Sequence, residues 1–535
     1  MSNVLDAIVV GCGFGGVYNL YKLKQLGLSV KAFDKAPDVG GTWYWNQYPG
    51  ATTDTTAEIY RYRDDKELLN TYPWSTHYLY RKDNLGYLKH FIESHNLGQH
   101  IQLSNELKSA SFDAATSTWT VTFNPSGETY KTTYLILATG HLHTPNYPDI
   151  KGLEKFAGPV YHTGVWPEYR DLKGKKVGVI GTGSSGAQLM VNIADDVSHL
   201  VSFQRSSQHV VPHNNGPISA EEREIINSSW DEIWDTVDNH PLGQNIPFPN
   251  TPTMSVSAEE RERIWEEIWN GTNGVAFMYG PFGDIVTSEE ANRELCAFFE
   301  KKIAQYISDP DKLKKLTPTE LYLKRPVTMS GYYETFAKKH VDIVNYQFTP
   351  LVEANEKGLL TTEKQWDLDV IILATGYEAM DGSLKRINPV GTHGTLNETW
   401  AKGSTSYLGL SEVGFPNMFF SIGPQSPIAN IPPIIEVQAN FIAGLIAKAE
   451  AKKKENGDNK TVLVEVEEQA KDGWLKKCLE VEEGSLIKTV KSFITGDFVE
   501  GSNIPVHSWL GGFHTYQRFI KSVTDNNYFG FKLIN

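Results

Sequence analysis

The stretch Asp6-Ala-Ile-Val-Val-Gly-Cys-Gly-Phe-Gly-Gly16 decides the fold, because an apolar strand runs directly into glycines spaced G-x-G-x-x-G. Gly11 allows the tight turn, Gly13 lets a pyrophosphate approach the backbone, and Gly16 lets the following helix close on the strand. The next predicted strand ends at Asp34, where a carboxylate can accept hydrogen bonds from an unphosphorylated ribose. We therefore predict a dinucleotide-binding unit here, the alternative being a glycine-rich turn without a ligand.

The same pattern returns at Lys175-Lys-Val-Gly-Val-Ile-Gly-Thr-Gly-Ser-Ser-Gly186. The residues predicted to hold a second nucleotide are Gly181, Gly183, Ser184, Ser185 and Gly186. The second strand of this unit ends in Arg205-Ser206, where the first unit has Asp34. A guanidinium binds a 2'-phosphate that a carboxylate would repel, so this site is predicted to take NADP(H) rather than NAD(H). The alternative is that Arg205 is an ordinary surface residue.

Two apolar strands that end in Ala-Thr-Gly support a pair of nucleotide-binding units. They occupy residues 134–140 and 370–376, and each is predicted to close one unit. Thr375 and Gly376, at the end of the second strand, are accordingly predicted to lie beside a cofactor. The fold class predicted is α/β, with two Rossmann-like dinucleotide-binding domains.

A helical insertion is predicted in the second domain, at about residues 215–318, where the composition becomes charged. Capping boxes are predicted to open helices at Ser219, Ser257 and Thr287. The predicted domains are residues 1–147 for the first part of the first domain, 148–375 for the second domain with its insertion, and 376–535 for the rest of the first domain with a mobile C-terminal loop.

The composition excludes several classes of partner. A net charge of −14 with no long basic run argues against nucleic acid, which needs clustered Lys and Arg. The three cysteines, Cys12, Cys296 and Cys478, are far apart and form no C-x-x-C, so neither a disulfide framework nor a dithiol centre is predicted. The sequence has no basic leader and no apolar run of about 18 residues. We expect a cytoplasmic protein without membrane or metal partners, acting on a small or apolar molecule.

Two further segments carry candidate site residues. Residues 40–54 read G-G-T-W-Y-W-N-Q-Y-P-G-A-T-T-D, and their aromatic side chains either wall a flat, conjugated ring or pack in a core. The residues of this segment predicted to border the first cofactor are Gly41, Thr42, Trp43 and Tyr48. Asp54 is either a solvated turn residue or a carboxylate that holds a cation beside the cofactor. Lys324-Arg325 is either a solvated pair or the source of a permanent cation, since arginine cannot lose its proton.

Two fingerprints identify a family resemblance. Phe156-x-Gly158-x-x-x-His162-x-x-x-Trp166-Pro167 lies between the two glycine turns, and Gly41-x-Trp43-x-x-x-x-Tyr48-Pro49-Gly50-x-x-x-Asp54 precedes it. With these motifs the chain resembles the type I Baeyer-Villiger monooxygenases over essentially its whole length. The heteroatom-oxidising flavin monooxygenases share the two turns and the hinge histidine but usually lack the Trp-Pro, so Trp166 favours the ketone oxidisers.

The resemblance implies a function and cofactors. It implies FAD in the first domain, NADP(H) in the second, and insertion of one oxygen atom of O2 next to a ketone carbonyl to give an ester or lactone. The reaction would use NADPH and a peroxyflavin, with sulfoxidation as a side activity. The partners implied are a small ketone and O2, for a monomer or weak oligomer.

The resemblance also implies roles for individual residues. Arg325 is similar to the catalytic arginine of the family, and Asp54 to the carboxylate that pairs with it. Lys324 is similar to the residue that contacts the 2'-phosphate together with Arg205. The hinge residues His162 and Trp166 would couple domain rotation to nicotinamide movement; Phe156, Gly158 and Pro167 complete that fingerprint.

The chain departs from the family pattern at two places. Thr52-Thr53 stand where the family usually has Arg-Cys, which removes a positive charge beside Asp54. Phe493 stands where the family has a tryptophan before a mobile loop, which removes an indole donor. If that donor normally holds the nicotinamide cofactor, its loss at Phe493 is expected to alter cofactor affinity or the lifetime of the peroxide intermediate. The alternatives to ketone oxidation are a flavin-dependent nitrogen or sulfur monooxygenase and a non-catalytic dinucleotide sensor.

Overall fold

The computed structural model describes residues 3–167, 170–457, 460–490 and 506–535. The strands are β1 (Asn3–Val10), β2 (Val30–Phe33), β3 (Thr52–Thr56), β4 (Tyr78–Tyr80), β5 (Ile101–Gln102), β6 (Glu106–Asp113), β7 (Thr118–Asn124), β8 (Thr129–Leu137), β9 (Val160–His162), β10 (Lys176–Ile180), β11 (His199–Gln204), β12 (Val210–Val211), β13 (Val327–Thr328), β14 (Val341–Asn345), β15 (Leu351–Asn355), β16 (Gly358–Thr361), β17 (Gln365–Asp367), β18 (Val370–Leu373), β19 (Met418–Phe420), β20 (Leu463–Val466) and β21 (Phe531–Ile534).

The helices connect these strands and cover the sheets. They are α1 (Phe14–Gln25), α2 (Thr42–Trp45), α3 (Lys66–Thr71), α4 (Arg81–Ser94), α5 (Ser184–Ile193), α6 (Ala220–Ser228), α7 (Trp230–Asn239), α8 (Ala258–Asn270), α9 (Glu289–Tyr306), α10 (Pro310–Leu316), α11 (Tyr332–Ala337), α12 (Gly382–Ile387), α13 (Leu396–Thr399), α14 (Ile431–Asn456), α15 (Glu468–Glu483) and α16 (Phe513–Asp525). Within the described ranges, none of these helices is long and apolar enough to cross a membrane.

The first sheet carries the first glycine turn. Its strand order is β5-β2-β1-β8-β7-β6, with β19 beside β8. Strand β1 runs parallel to both β2 and β8, with Ala7 opposite Val30 and Tyr134. Helix α1 leaves the turn after β1 and packs against α14, whose apolar residues share its core cluster. A parallel strand-turn-helix of this kind places the turn at the carboxyl edge of the sheet.

The second sheet repeats this arrangement. It is parallel throughout, in the order β14-β11-β10-β18-β9. Its edge strand β9 comes from the stretch of sequence that contains the hinge fingerprint, with His162 opposite Leu373 of β18. The fingerprint therefore forms part of the second sheet. The mixed α/β architecture with two such sheets confirms the predicted fold class.

The predicted helical insertion corresponds to α6 to α10. Helix α6 begins with the predicted capping box, since Ser219 and Glu222 bond each other's backbone N–H groups, and α8 begins after Ser257, which accepts from Glu260. The third prediction, at Thr287, was wrong by one residue: Ser288 is the N-cap of α9 and accepts from the backbone of Ala291. Thr287 belongs to the preceding turn, where its backbone N–H donates to the carbonyl of Asp284.

Candidate active site

A cavity of about 540 Å³ is lined by residues from both glycine turns. The sequence-predicted residues that line it are Gly11, Gly13, Asp34, Gly41, Thr42, Trp43, Tyr48, Asp54, Ser184, Ser185 and Arg325. Much of the remaining wall is apolar, including Leu242, Met278, Ile431 and Ile435. Residues from distant parts of the sequence thus converge on one cavity.

The first glycine turn is closed by contacts that no side chain would permit. A Cβ atom on Gly16 would lie 1.7 Å from the carbonyl oxygen of Gly11, which itself has a φ of +104°. Helix α1 then begins after Gly13, with no side-chain cap and no acidic residue in its first turn. Uncapped N–H groups at a helix N-terminus fit the pyrophosphate of a dinucleotide.

The second glycine turn has the same construction. A Cβ atom on Gly186 would lie 2.2 Å from the carbonyl oxygen of Gly181, whose φ is +106°. Helix α5 begins after Gly183 without a side-chain cap or an early acidic residue, and a Cβ atom on Gly183 would meet no atom within 4 Å. This turn also fits a pyrophosphate.

Asp34 lies directly after β2 and is held by the first turn. Its two carboxylate oxygens accept hydrogen bonds from the backbone N–H groups of Cys12 at 2.6 Å and Ala36 at 2.8 Å. Burial raises the pKa of Asp34. Because each carboxylate oxygen can accept a second bond, Asp34 remains able to bind a ribose hydroxyl at the cavity wall.

Asp54 and Arg325 form an ion pair between residues 271 positions apart. The Asp54 side chain, on β3, is 20% exposed, whereas that of Arg325 is 42% exposed. One N–H group of the guanidinium therefore bonds Asp54, and its other N–H donors remain available in the accessible space at the cavity wall. The pair supplies a fixed positive charge whose direction is set by a carboxylate.

The two threonines before Asp54 have a structural role. Thr52 donates its hydroxyl to the carbonyl of Leu79 at 3.1 Å, and the Thr53 hydroxyl accepts from the backbone N–H of Leu79 at 3.1 Å. Both threonines are buried. These two hydrogen bonds hold β3 against β4.

Gln188 was missed by the sequence analysis. It lies on α5, one turn after Ser184, and its side-chain oxygen accepts from the Tyr48 hydroxyl at 2.7 Å. Its side-chain nitrogen donates to the carbonyl of Thr52 at 3.1 Å. The second nucleotide turn is therefore tied through one buried amide to the strand that carries Asp54. A lone glutamine on an amphipathic helix gave no signal of this contact.

Replacing Gln188 by methionine is expected to lower the free energy of unfolding by about 1–3 kcal/mol, because buried partners lose their hydrogen bonds. The loss would be measured by denaturant titration. Gln188→Glu keeps an acceptor for Tyr48 but places a buried carboxylate against the Thr52 carbonyl, so we expect a loss at least as large as that of Gln188→Met. Equal stability of all three proteins would contradict the bridge.

The residues predicted to bind a 2'-phosphate lie together at the second sheet. Arg205 and Ser206 follow β11 directly, and Arg205 is exposed. The Lys324 ammonium lies 3.4 Å from the Ser206 hydroxyl and forms an ion pair with Glu320. Chain segments more than a hundred residues apart thus place a lysine beside the Arg205-Ser206 corner.

The hinge fingerprint lies outside the cavity wall. His162 accepts from the backbone N–H of Gly164 at 3.0 Å, and its other ring nitrogen lies 3.3 Å from the Thr375 hydroxyl. Burial lowers the pKa of His162 to about 4, so the ring is neutral. A Cβ atom on Gly158 would lie 2.4 Å from the Asp369 carbonyl oxygen.

The other residues of the hinge fingerprint, and the residues that follow β18, also make packing contacts and hydrogen bonds. Phe156 and Trp166 are buried, and the guanidinium of Arg170 lies over the Trp166 ring. Pro167 accepts from Arg170 through its carbonyl oxygen. Thr375 donates to the carbonyl of Asn146 at 2.6 Å, next to Gly376 with its positive φ. Phe493, the second departure from the family pattern, lies outside the described residues.

The chain is similar to known proteins over its whole length. A family model described as flavin-binding monooxygenase-like matches residues 6–214. The chain is 40% identical to a phenazine N-monooxygenase of Lysobacter antibioticus, over 99% of this chain and 97% of that one. It is 39% identical to cyclohexanone 1,2-monooxygenase of an Acinetobacter species, over 99% and 96% of the two chains. The crystal structure of cyclohexanone monooxygenase from Rhodococcus sp. Phi1 bound to NADP+ matches with a TM-score of 0.96 at 38% identity, over 100% of both chains.

Proposed function

The chain belongs to the flavin-binding monooxygenase-like family, and we propose that it is a Baeyer-Villiger monooxygenase that converts a ketone into an ester or lactone with O2 and NADPH. The observation that carries this proposal is the Arg325–Asp54 ion pair on the wall of a cavity reached by both nucleotide turns. Within this pair the Arg325 guanidinium supplies a permanent positive charge that can stabilise negative charge developing during oxygen transfer to a carbonyl.

The two turns divide the cofactors between them. FAD would be held by Gly11, Gly13, Gly16 and Asp34, and NADP(H) by the turn at residues 181–186 together with Arg205, Ser206 and Lys324. When bound, the flavin activates O2 and the nicotinamide supplies the hydride that reduces the flavin. Asp34 beside the first turn, and Arg205, Ser206 and Lys324 beside the second, support this division.

The side chains of the cavity would act by charge, orientation and exclusion of water. Arg325 stays protonated and can stabilise negative charge that develops on the reacting oxygen atoms, while Asp54 fixes the direction of its guanidinium. The apolar wall, including Leu242, Ile431 and Ile435, would enclose the hydrocarbon part of a ketone. Excluding water from this space strengthens the charge interaction with Arg325.

A product analysis tests the function. The purified protein is inspected for bound flavin, NADPH oxidation is followed with a panel of ketones, amines and sulfides, and the products are identified by mass. Ester or lactone formation is the expected result. Turnover that gives only N-oxides or sulfoxides would overturn ketone oxidation, and nucleotide binding without any oxygenation would favour a sensor.

Oxygenation of an aromatic nitrogen is the second candidate function. The observation that favours it is the 40% identity to a phenazine N-monooxygenase. The Trp166-Pro167 end of the hinge fingerprint favours the ketone reaction instead. Including an aromatic N-heterocycle in the substrate panel separates the two.

The proposal also includes a cytoplasmic location and a chain that is monomeric or weakly associated.

Replacing Arg205 by alanine is expected to raise the KM for NADPH about 10–100-fold, because a charge-assisted contact to the 2'-phosphate is lost. The KM for NADH, which has no such phosphate, should change little. Steady-state kinetics with both nucleotides provide the measurement. A parallel rise of both KM values would place Arg205 outside the phosphate site.

A further inference from the structure

His141 lies on the cavity wall in a rigid loop after β8. The loop begins at Gly140, which has a φ of +69° and whose carbonyl accepts from the Ser383 hydroxyl at 3.0 Å. It is fixed again at Thr144, whose carbonyl accepts from the backbone N–H of Glu378 at 2.9 Å. The backbone on both sides of His141 is therefore held in place, so the ring position is defined by the fold.

The two ring nitrogens of His141 have different surroundings. Nδ1 is buried and, in the part of the chain that the structure describes, has no hydrogen-bond partner. Nε2 is not among the buried atoms, and within the described ranges it has no partner either, so it borders the open cavity. The residue as a whole is partly exposed, and it lines the cavity.

The chemistry of these surroundings sets the state of the ring. Burial and the nearby charge of Arg325 lower the pKa of His141 to about 4, so the imidazole is neutral at ordinary pH. A neutral imidazole has one N–H donor and one acceptor. An orphaned buried N–H is rarer in proteins than an acceptor left short of a partner, which favours the proton on Nε2. The Nε2–H group of His141 is then an uncharged donor at the cavity wall near the Arg325–Asp54 pair.

We propose that His141 is a specificity-determining residue whose Nε2–H donates a hydrogen bond to a second oxygen atom of the substrate, so that the site prefers ketones carrying a hydroxyl or second carbonyl group. This inference rests on the proposed ketone oxidation. Arg325, held by Asp54, is assigned to the charge on the reacting oxygen atoms, and much of the remaining wall is apolar. A donor without a protein partner in such a wall gains most from a ligand that carries an acceptor.

His143 offers a matched control within the same loop. It also lies on the cavity wall, and burial lowers its pKa to about 4 as well. The charges that act on it are those of Lys35 and Arg386, whereas Arg325 acts on His141. The two histidines therefore share loop, burial and neutral state but face different parts of the cavity.

The test compares two ring ketones of similar size, one with a hydroxyl and one with a methyl group at the carbon opposite the carbonyl. The flavin-loaded wild type is expected to show a kcat/KM at least about tenfold higher for the hydroxyl compound, the value of one buried hydrogen bond. His141→Leu should remove that ratio. His141→Gln, which retains a side-chain N–H donor, should keep most of it, and His143→Leu should change it less than about twofold.

Direct binding provides the second readout. Calorimetric titration of the same two ketones into the flavin-loaded enzyme, without NADPH, should show the same preference and its loss in His141→Leu. An unchanged preference in His141→Leu, or an equal loss in His143→Leu, overturns the proposal. If neither ketone is converted to an ester, the proposed function fails, and the binding preference still decides the role of His141. Flavin content checks that each variant has folded, and His141→Ala, which also lacks a donor, replaces His141→Leu if the leucine variant loses its flavin.

Discussion

Arg325→Ala is expected to lower ester formation by at least about 10²–10³-fold while FAD remains bound. Removal of a single preorganised donor from a site where negative charge develops typically costs a factor of this size. The Arg325 side chain is far from the first glycine turn in sequence and makes its ion pair with Asp54 on β3, so flavin binding should survive. Product quantification by mass, with flavin absorbance on the same sample, measures both quantities.

Two control variants sharpen this expectation. Arg325→Lys keeps the charge but not the planar group of N–H donors, so its activity should lie between those of the alanine variant and the wild type. Lys324→Met removes the neighbouring charge, which contacts Ser206, and should raise the KM for NADPH more than it lowers kcat. Ester formation by Arg325→Ala at the wild-type rate would remove Arg325 from the mechanism.

The local parts of the site could be predicted from the sequence. Each glycine turn is encoded within a dozen residues, and the acid or arginine that follows is placed by the register of the next strand. The pairing of Asp54 with Arg325 came from the family resemblance. Nothing local in either segment indicates a partner 271 residues away.

Other parts of the site depend on tertiary contacts that no sequence pattern encodes. Gln188 reads as an ordinary helix residue, and its bridge to Tyr48 and Thr52 arises only because α5 packs against residues before β3. His141 follows a predicted strand end, yet its separate nitrogen environments depend on how the loop is fixed. The wrong N-cap prediction at Thr287 has the same origin, because Thr287 bonds to Asp284 in the turn before α9 and does not cap the helix.

Gly16→Ala is expected to remove most of the bound flavin, whereas Gly186→Ala should leave the flavin in place and raise the KM for NADPH at least about tenfold. The Cβ atom added at residue 16 would lie 1.7 Å from the carbonyl oxygen of Gly11, and the one added at residue 186 would lie 2.2 Å from that of Gly181. Backbone cannot rotate away as a flexible side chain does, so the helix must move off its strand. The pyrophosphate cradle at that turn opens as a result.

Because the two turns have the same construction, the pair of variants assigns each turn to its cofactor. Gel filtration followed by flavin absorbance measures the first effect, and steady-state kinetics measure the second. Gly473→Ala is the matched control: it lies within α15, its added Cβ atom meets nothing within 4 Å, and the change should stabilise the helix by about 0.4–1 kcal/mol. Loss of flavin in Gly186→Ala with retention in Gly16→Ala would reverse the assignment, since the damaged turn should release only the nucleotide that its own helix N-terminus holds.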